Sequence, residues 1–270
     1  MYPFEYHRPA TLKEAVSLLR KIEDSKVLSG GQSLIPALKF RLSSPAALID
    51  LGGVEELRGI KLEGATLTIG AMIRHAEVAS SPDVMSGIPA LAKLAAGIGD
   101  RQVRNSGTLG GAIGFNDPAA DYPAAVLGLG AVVHTNKRAI KADKFFTGLY
   151  QNALRPAEII TSIAFPLPKR AAYAKFRNPA SRFAIVGVFV SESTDGVRVA
   201  VTGAASCVFR VKQMEKKLAK NFAPEAIARV HVPPDNLNSD LHASAEYRSH
   251  LITVMAQRAV QAALAGQATT

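Results

Sequence analysis

The sequence holds one cysteine and no tryptophan, and aromatic residues make up only 6% of it. A single thiol, Cys207, excludes an internal disulfide framework, a CxxC zinc site and an iron–sulfur cluster built from this chain alone. It falls in the apolar run "VTGAASCVF", where a buried, inert thiol is expected. The scarcity of aromatics argues against a stacking platform for nucleic acid. No apolar stretch reaches membrane-spanning length, and the opening "MYPFEYHRPATLKEA" lacks the apolar core of a signal peptide. A cytoplasmic chain that does not span a membrane is therefore expected.

Catalytic motifs are equally scarce. There is no HExxH and no GxSxG, and the histidines at 7, 75, 134, 231, 242 and 250 form no metal-spaced pair. No metal site and no catalytic side chain is expected. Any reaction must belong to a bound cofactor.

What is present is a substantial apolar fraction, 48% of 270 residues, enough for two or three compact units. The net charge of +10 is spread along the chain. Its densest basic run, "RVKQMEKKLAK" from Arg210 to Lys220, is interrupted by Glu215 and reads as the wet face of a helix. Nucleic-acid binding is not expected, and an acidic protein partner fits better.

Three segments follow from the patterning. "TLKEAVSLLRKI" opens with Thr11 and Glu14 in capping-box spacing. "KVLSGG" reads as a strand running into a Gly-Gly turn, "SLIPALKFRL" as a helix and "AALIDLG" as a strand, which closes a first unit near Gly53. In residues 54–168, "ATLTIGAMI", "AVVHT" and "PAEIITSIAFPLP" read as strands, and "PALAKLAAGIG" and "PAADYPAAVLGLG" as helices. A glycine-rich loop separates those two helices. Residues 169–270 begin with "AAYAKFRNP", "FAIVGVFVSES" and "GVRVAVTGAAS", a three-stranded antiparallel sheet, and end in helices that Gly266 stops. A strand run followed by helices predicts an α+β chain.

Two glycine turns carry the chemistry. In "LSGGQSLIP" a strand delivers the chain to Gly30-Gly31 and a helix leaves near Ser33, so exposed N–H groups form a natural anion site. Gln32 and Ser33 add side-chain donors. In "SGTLGGAIGFNDPAAD" Thr108 precedes Gly110-Gly111. Asp117 reads as a helix cap ahead of Pro118, while Asp121, one turn on, is freer to reach a ligand. Either turn alone is consistent with a tight bend. Together, without the lysine that phosphoryl transfer needs, they suit a pyrophosphate that is held and not cleaved, as in a dinucleotide.

In this order and at this spacing "LSGGQSLIPALKFRL", "NSGTLGGAIGFNDPAADYPAA" and "DLHASAEYRSHL" resemble the FAD-binding medium subunit of molybdenum hydroxylases, as in aerobic carbon monoxide dehydrogenase and xanthine dehydrogenase. The resemblance covers nearly the whole chain. It implies a two-part FAD-binding region of the vanillyl-alcohol-oxidase-like kind, in subdomains 1–53 and 54–168, followed by an α+β C-terminal domain, 169–270. It places FAD against Leu28, Ser29, Gly30, Gly31, Gln32, Ser33 and Leu34, against Thr108, Leu109, Gly110, Gly111 and Ala112, and against Asp121. It puts Ile98, Ile160 and Lys175 near the flavin, although the isoleucines read equally as core residues and Lys175 as a solvated strand residue. Ala112 departs from a polar residue common in relatives, and Arg182 from an acidic one.

The implied partners are a small subunit with two [2Fe–2S] clusters and a large molybdenum-cofactor subunit, in a dimer of heterotrimers, with quinone, NAD or oxygen as electron acceptor. The chain would be an oxidoreductase subunit, inactive alone. Two other readings remain open: a self-sufficient FAD oxidoreductase of the vanillyl-alcohol-oxidase type, and a flavin-free assembly protein of the same fold.

Overall fold

A computed structural model describes residues 1–266. The first unit comprises β1 (Glu5–His7), α1 (Leu12–Lys21), β2 (Ser25–Leu28), α2 (Leu34–Lys39) and β3 (Ala47–Asp50). Thr11 accepts the Glu14 N–H at 3.2 Å, and the Glu14 carboxylate takes the Ala10 N–H at 3.0 Å, so the start of α1 is fixed locally. The three strands are parallel in the order β1-β3-β2. Parallel neighbours need crossovers, which helices supply. The central strand β3 is apolar and buried from Ala47 to Ile49.

The second unit continues with β4 (Ile60–Glu63), β5 (Thr66–Gly70), α3 (His75–Ser80), α4 (Pro82–Gly87), α5 (Pro89–Ala96), α6 (Arg101–Ser106), α7 (Leu109–Phe115) and α8 (Tyr122–Gly128). It closes with β6 (Val132–Thr135), β7 (Ala139–Lys141), β8 (Phe146–Gly148), β9 (Gln151–Asn152) and β10 (Ile160–Pro166). Its antiparallel sheet runs β4-β5-β10-β6-β7, with β8 and β9 as a separate pair. Ile163 and Phe165 of the central strand are fully buried.

The C-terminal sheet contains β11 (Arg170–Arg177), β12 (Ala184–Ser193), β13 (Gly196–Thr202) and β14 (Phe209–Arg210) in that order, with α9 (Lys212–Lys220), α10 (Pro224–Ile227) and α11 (Ala245–Ala265) following. The sheet thus has four strands where the sequence predicts three. The extra strand has only two residues, too few to show an alternating pattern. Every residue of β12 from Ala184 to Ser191 is buried, because α8 covers one face and α11 the other. Gly128 lets α8 approach: an added Cβ would lie 2.8 Å from Phe189. Most of the basic run lies on α9, whose Met214 and Leu218 face inward and whose buried Glu215 pairs with Arg210 of β14 at 2.7 Å. Cys207 is half-buried, with its Sγ 3.7 Å from Asn116 Nδ2. Among the described residues no helix is long and apolar enough to cross a membrane.

Helix α11 is fastened to the sheet by Arg248, whose side chain is 4% exposed. Its guanidinium donates to the carbonyls of Ile185 (2.6 Å) and Gly203 (3.0 Å) and to Asp240 (2.7 Å). Arg248→Ala strands both carbonyls in the interior. It is expected to cost about 3 kcal/mol and to lower the melting temperature, followed by circular dichroism, by roughly 5–10 °C.

Candidate functional site

Strand β2 feeds the first glycine turn, and the two glycines serve different ends. Gly31 has φ +72°, a left-handed conformation that only glycine adopts freely. Gly30 is required by proximity: a Cβ there would lie 2.3 Å from the Ser106 carbonyl oxygen and 2.6 Å from Gly107 Cα. The two glycine turns therefore touch backbone to backbone. Their hydroxyls meet at the same place, Ser29 Oγ and Thr108 Oγ1 sharing a hydrogen bond of 2.7 Å.

Among the described residues no protein acceptor takes the N–H groups of Gly30, Gly31, Gln32, Ser33 or Leu34. The Ile35 N–H is the first to be taken, by the Gly31 carbonyl at 3.0 Å. Five successive open donors at a glycine turn make a site for an anion.

The second turn is built differently. Residues 109–115, expected as a loop, form α7, with Thr108 accepting the Gly111 N–H at 3.1 Å as its cap. Gly110 is present for packing, since a Cβ would fall 2.5 Å from that of Ala71. The N–H groups of Leu109, Gly110 and Ala112 donate to Ile73, Ala71 and Thr108 carbonyls at 2.8–3.0 Å. Donors of this turn serve the fold, and those of the first remain open.

The acidic residues also differ from expectation. Asp117 caps no helix: its Oδ1 accepts the Ala119 N–H at 2.8 Å in a local turn, and α8 begins only at Tyr122. Asp121 is buried, and accepts from the Tyr173 hydroxyl and from Lys175 Nζ at 2.9 Å. Burial pushes its carboxyl upward, against the pull of Lys175 and Tyr173. Gly187, opposite Lys175 in the β11–β12 register, makes room, because a Cβ there would lie 2.1 Å from the Tyr173 hydroxyl. Lys175 Nζ also donates to the carbonyls of Gly97 and Arg182, both at 3.1 Å, so it is not a solvated strand residue.

These elements enclose a cleft of about 640 Å³, within the range of about 300–1,000 Å³ usual for small-molecule sites. Ser29, Gly30, Gly31, Gln32, Ser33 and Leu34 line it, as do Ile98, Thr108, Gly110, Gly111, Ala112, Asp121 and Ile160. Leu28, Leu109 and Lys175 do not reach it. Side chains that no motif marks line it too: His75, Glu158 and the loop Ser181–Phe183.

Glu158 is saturated by Arg138 (2.9 and 3.1 Å), Thr135 (2.8 Å) and the Arg155 N–H (2.8 Å), with Arg138 foremost in holding its carboxyl down at about 2. Burial first, and the charge of Arg104 second, hold His75 at about 4, so its imidazole is neutral. Arg182 adopts φ +63° and donates to the Gly99 carbonyl at 3.1 Å. Among the described residues the cations lining the cleft are Lys26 and Arg182. Open amides, a close backbone approach and apolar walls at Ile98 and Ile160 fit a dinucleotide with a pyrophosphate.

Residues 2–168 match the family described as the FAD binding domain in molybdopterin dehydrogenase. The chain belongs to this family. Its cofactor is FAD, and it is an oxidoreductase subunit of the molybdenum hydroxylase type. Relatives extend the match to the C-terminal unit. The carbon monoxide dehydrogenase medium chain of Hydrogenophaga pseudoflava is 36% identical, with 97% of each chain covered. The nicotine 6-hydroxylase medium subunit of Paenarthrobacter nicotinovorans is 35% identical, over 94% of this chain and 95% of that one. The fold matches a chain of quinoline 2-oxidoreductase from Pseudomonas putida 86 with a TM-score of 0.90 at 28% identity, covering 98% of this chain and 99% of that one.

Two outcomes follow for this FAD-domain chain. Gly30→Ala forces the two turns apart and is expected to cost about 1–3 kcal/mol, read as a lower urea midpoint, with FAD binding reduced in parallel. His75 is neutral in the fold and has an ordinary pKa when unfolded, so the unfolded state binds the extra proton first. Stability is then complete above pH 6.5 and falls by about 3 kcal/mol towards pH 4. Urea midpoints across that range should flatten in His75→Gln.

Proposed function

We propose that the chain is the medium, FAD-carrying electron-transfer subunit of a molybdenum hydroxylase complex. It takes electrons from the [2Fe–2S] clusters of a small subunit and passes them to an external acceptor, quinone, NAD or oxygen, while a large molybdenum subunit oxidises the substrate. The observation that carries this reading is the run of open amides from Gly30 to Leu34, facing a cleft shared with the second glycine turn, in a chain of this family. Names of the relatives, medium chains and medium subunits, support the place in a larger assembly.

Bound FAD would supply the redox chemistry, accepting electrons singly and releasing them in pairs. The residues of the chain hold and shield. Ser29 to Leu34 hold the pyrophosphate by uncharged donors, and Thr108 to Ala112 form the adjoining wall. Ile98 and Ile160 exclude water from the flavin side. Asp121 and Lys175 fix the wall against the C-terminal sheet. We assign residues 1–53 and 54–168 to the two FAD-binding subdomains and 169–270 to the C-terminal domain, with a cytoplasmic dimer of heterotrimers as the working assembly.

The test is purification of the chain alone and with the subunits encoded beside it, followed by a flavin spectrum and a dye-reduction assay. The expected outcome is FAD with no turnover alone, and turnover with two partners. Turnover of a small substrate by the chain alone would sink the proposal. Since open amides outnumber cations at the turn, FAD should be lost from the isolated chain on gel filtration and kept in the complex. Equal retention in both would contradict this.

A further inference from the structure

Three carboxylates face the cleft, and two of them are saturated: Asp121 by Tyr173 and Lys175, and Glu158 by Arg138, Thr135 and the Arg155 N–H. Asp117 differs. Its Oδ1 accepts the Ala119 N–H at 2.8 Å, and among the described residues its Oδ2 has no donor and the group has no ion pair. A chain of net charge +10 thus leaves one cleft carboxylate open. Burial without a compensating cation pushes its carboxyl upward. A half-buried acceptor in that state is open to a donor that enters the cleft.

We infer that Asp117 orients the cofactor, its open Oδ2 accepting a hydrogen bond from a neutral donor of FAD, a hydroxyl or an N–H group. This rests on the FAD assignment above and deepens it. The charge of FAD is concentrated in its pyrophosphate. The amides of Gly30 to Leu34 attract that group, and a carboxylate repels it. Seating FAD with its phosphates at Asp117 would leave five amides without an acceptor and place like charges together. With the phosphates at the first turn, either half of FAD carries hydroxyl or N–H donors that suit Asp117, which lines the same cleft. A ring surface is at hand there: Phe115 lines the cleft, and its ring centroid is 5.1 Å from that of Tyr150, whose hydroxyl feels the charge of Asp117.

Asp117→Asn keeps an oxygen for the Ala119 N–H but turns the open acceptor into a donor. The complex purified with its partner subunits, stripped of flavin, is titrated calorimetrically with FAD, ADP, FMN and inorganic pyrophosphate. The variant is expected to bind FAD about ten- to a hundredfold more weakly, with pyrophosphate unchanged. The loss should pass to only one fragment: ADP if the donor belongs to the adenosine half, FMN if it belongs to the flavin and ribityl half. Asp117→Ser, whose hydroxyl can also accept the Ala119 N–H, should behave alike. Unchanged FAD affinity in both variants, with melting temperatures near wild type, overturns the inference while the FAD assignment stands. Equal loss for pyrophosphate also overturns it, because it marks a collapsed cleft. Absence of FAD binding in the wild-type complex overturns both.

Discussion

The approach of Gly30 to the backbone of Ser106 and Gly107 sets the geometry of the whole cleft. The hydroxyls that seal it, on Ser29 and Thr108, are 79 residues apart in the chain. Because the turns meet through backbone and hydroxyl groups, no side chain of the second turn reaches over to occupy the amides of the first. Those amides stay open, and the end of β2 is held against the segment from Ser106 to Thr108 that leads into α7. Gly107 completes the stack on its far side, where a Cβ would lie 2.5 Å from His75 Nε2. Three successive layers, Gly30, Gly107 and His75, thus exclude any side chain larger than hydrogen at two places.

A second constraint joins the C-terminal sheet to this assembly. Lys175 bridges Asp121 at the start of α8, the Gly97 carbonyl after α5 and the Arg182 carbonyl in the loop between β11 and β12. Desolvating an ion pair consumes much of its Coulomb gain, so stability alone does not account for it. Its geometric effect is clearer. With Gly187 making space for Tyr173, the pair sets the distance between the sheet and α8 and hence the position of the loop Ser181–Phe183 at the cleft.

Much of this was legible in the sequence where the signal is local. The capping residues of α1, the strand before Gly30-Gly31 and the apolar runs of β12 and β13 are each decided by near neighbours. The helix α7 was not legible, because Gly110 and Gly111 look like turn residues, and only the contact with Ala71 shows that Gly110 is a packing choice. Strand β1 has three residues and exists through its pairing with β3, which no periodicity in so short a run reveals. Likewise the environment of Asp121 depends on Lys175, 54 residues away. His75 and Glu158 lie on the cleft without any motif, for their roles come from burial and from partners brought by other elements.

The charge pattern of the cleft follows one rule. Glu158 is neutralised by Arg138, Asp121 is matched by Lys175, and His75 is kept uncharged by burial and by the charge of Arg104. Among the described residues, what remains is a set of open amides, one carboxylate without an ion pair, Asp117, and the two lining cations Lys26 and Arg182. Amides aimed from a rigid backbone stabilise an anion without reorganising, yet they add no net charge to draw electrons out of a phosphoryl bond. An ammonium in the same place would favour cleavage chemistry. A cleft built this way is suited to retain a dinucleotide intact through repeated cycles of charge change, which is the demand that an electron-carrying cofactor makes on its protein.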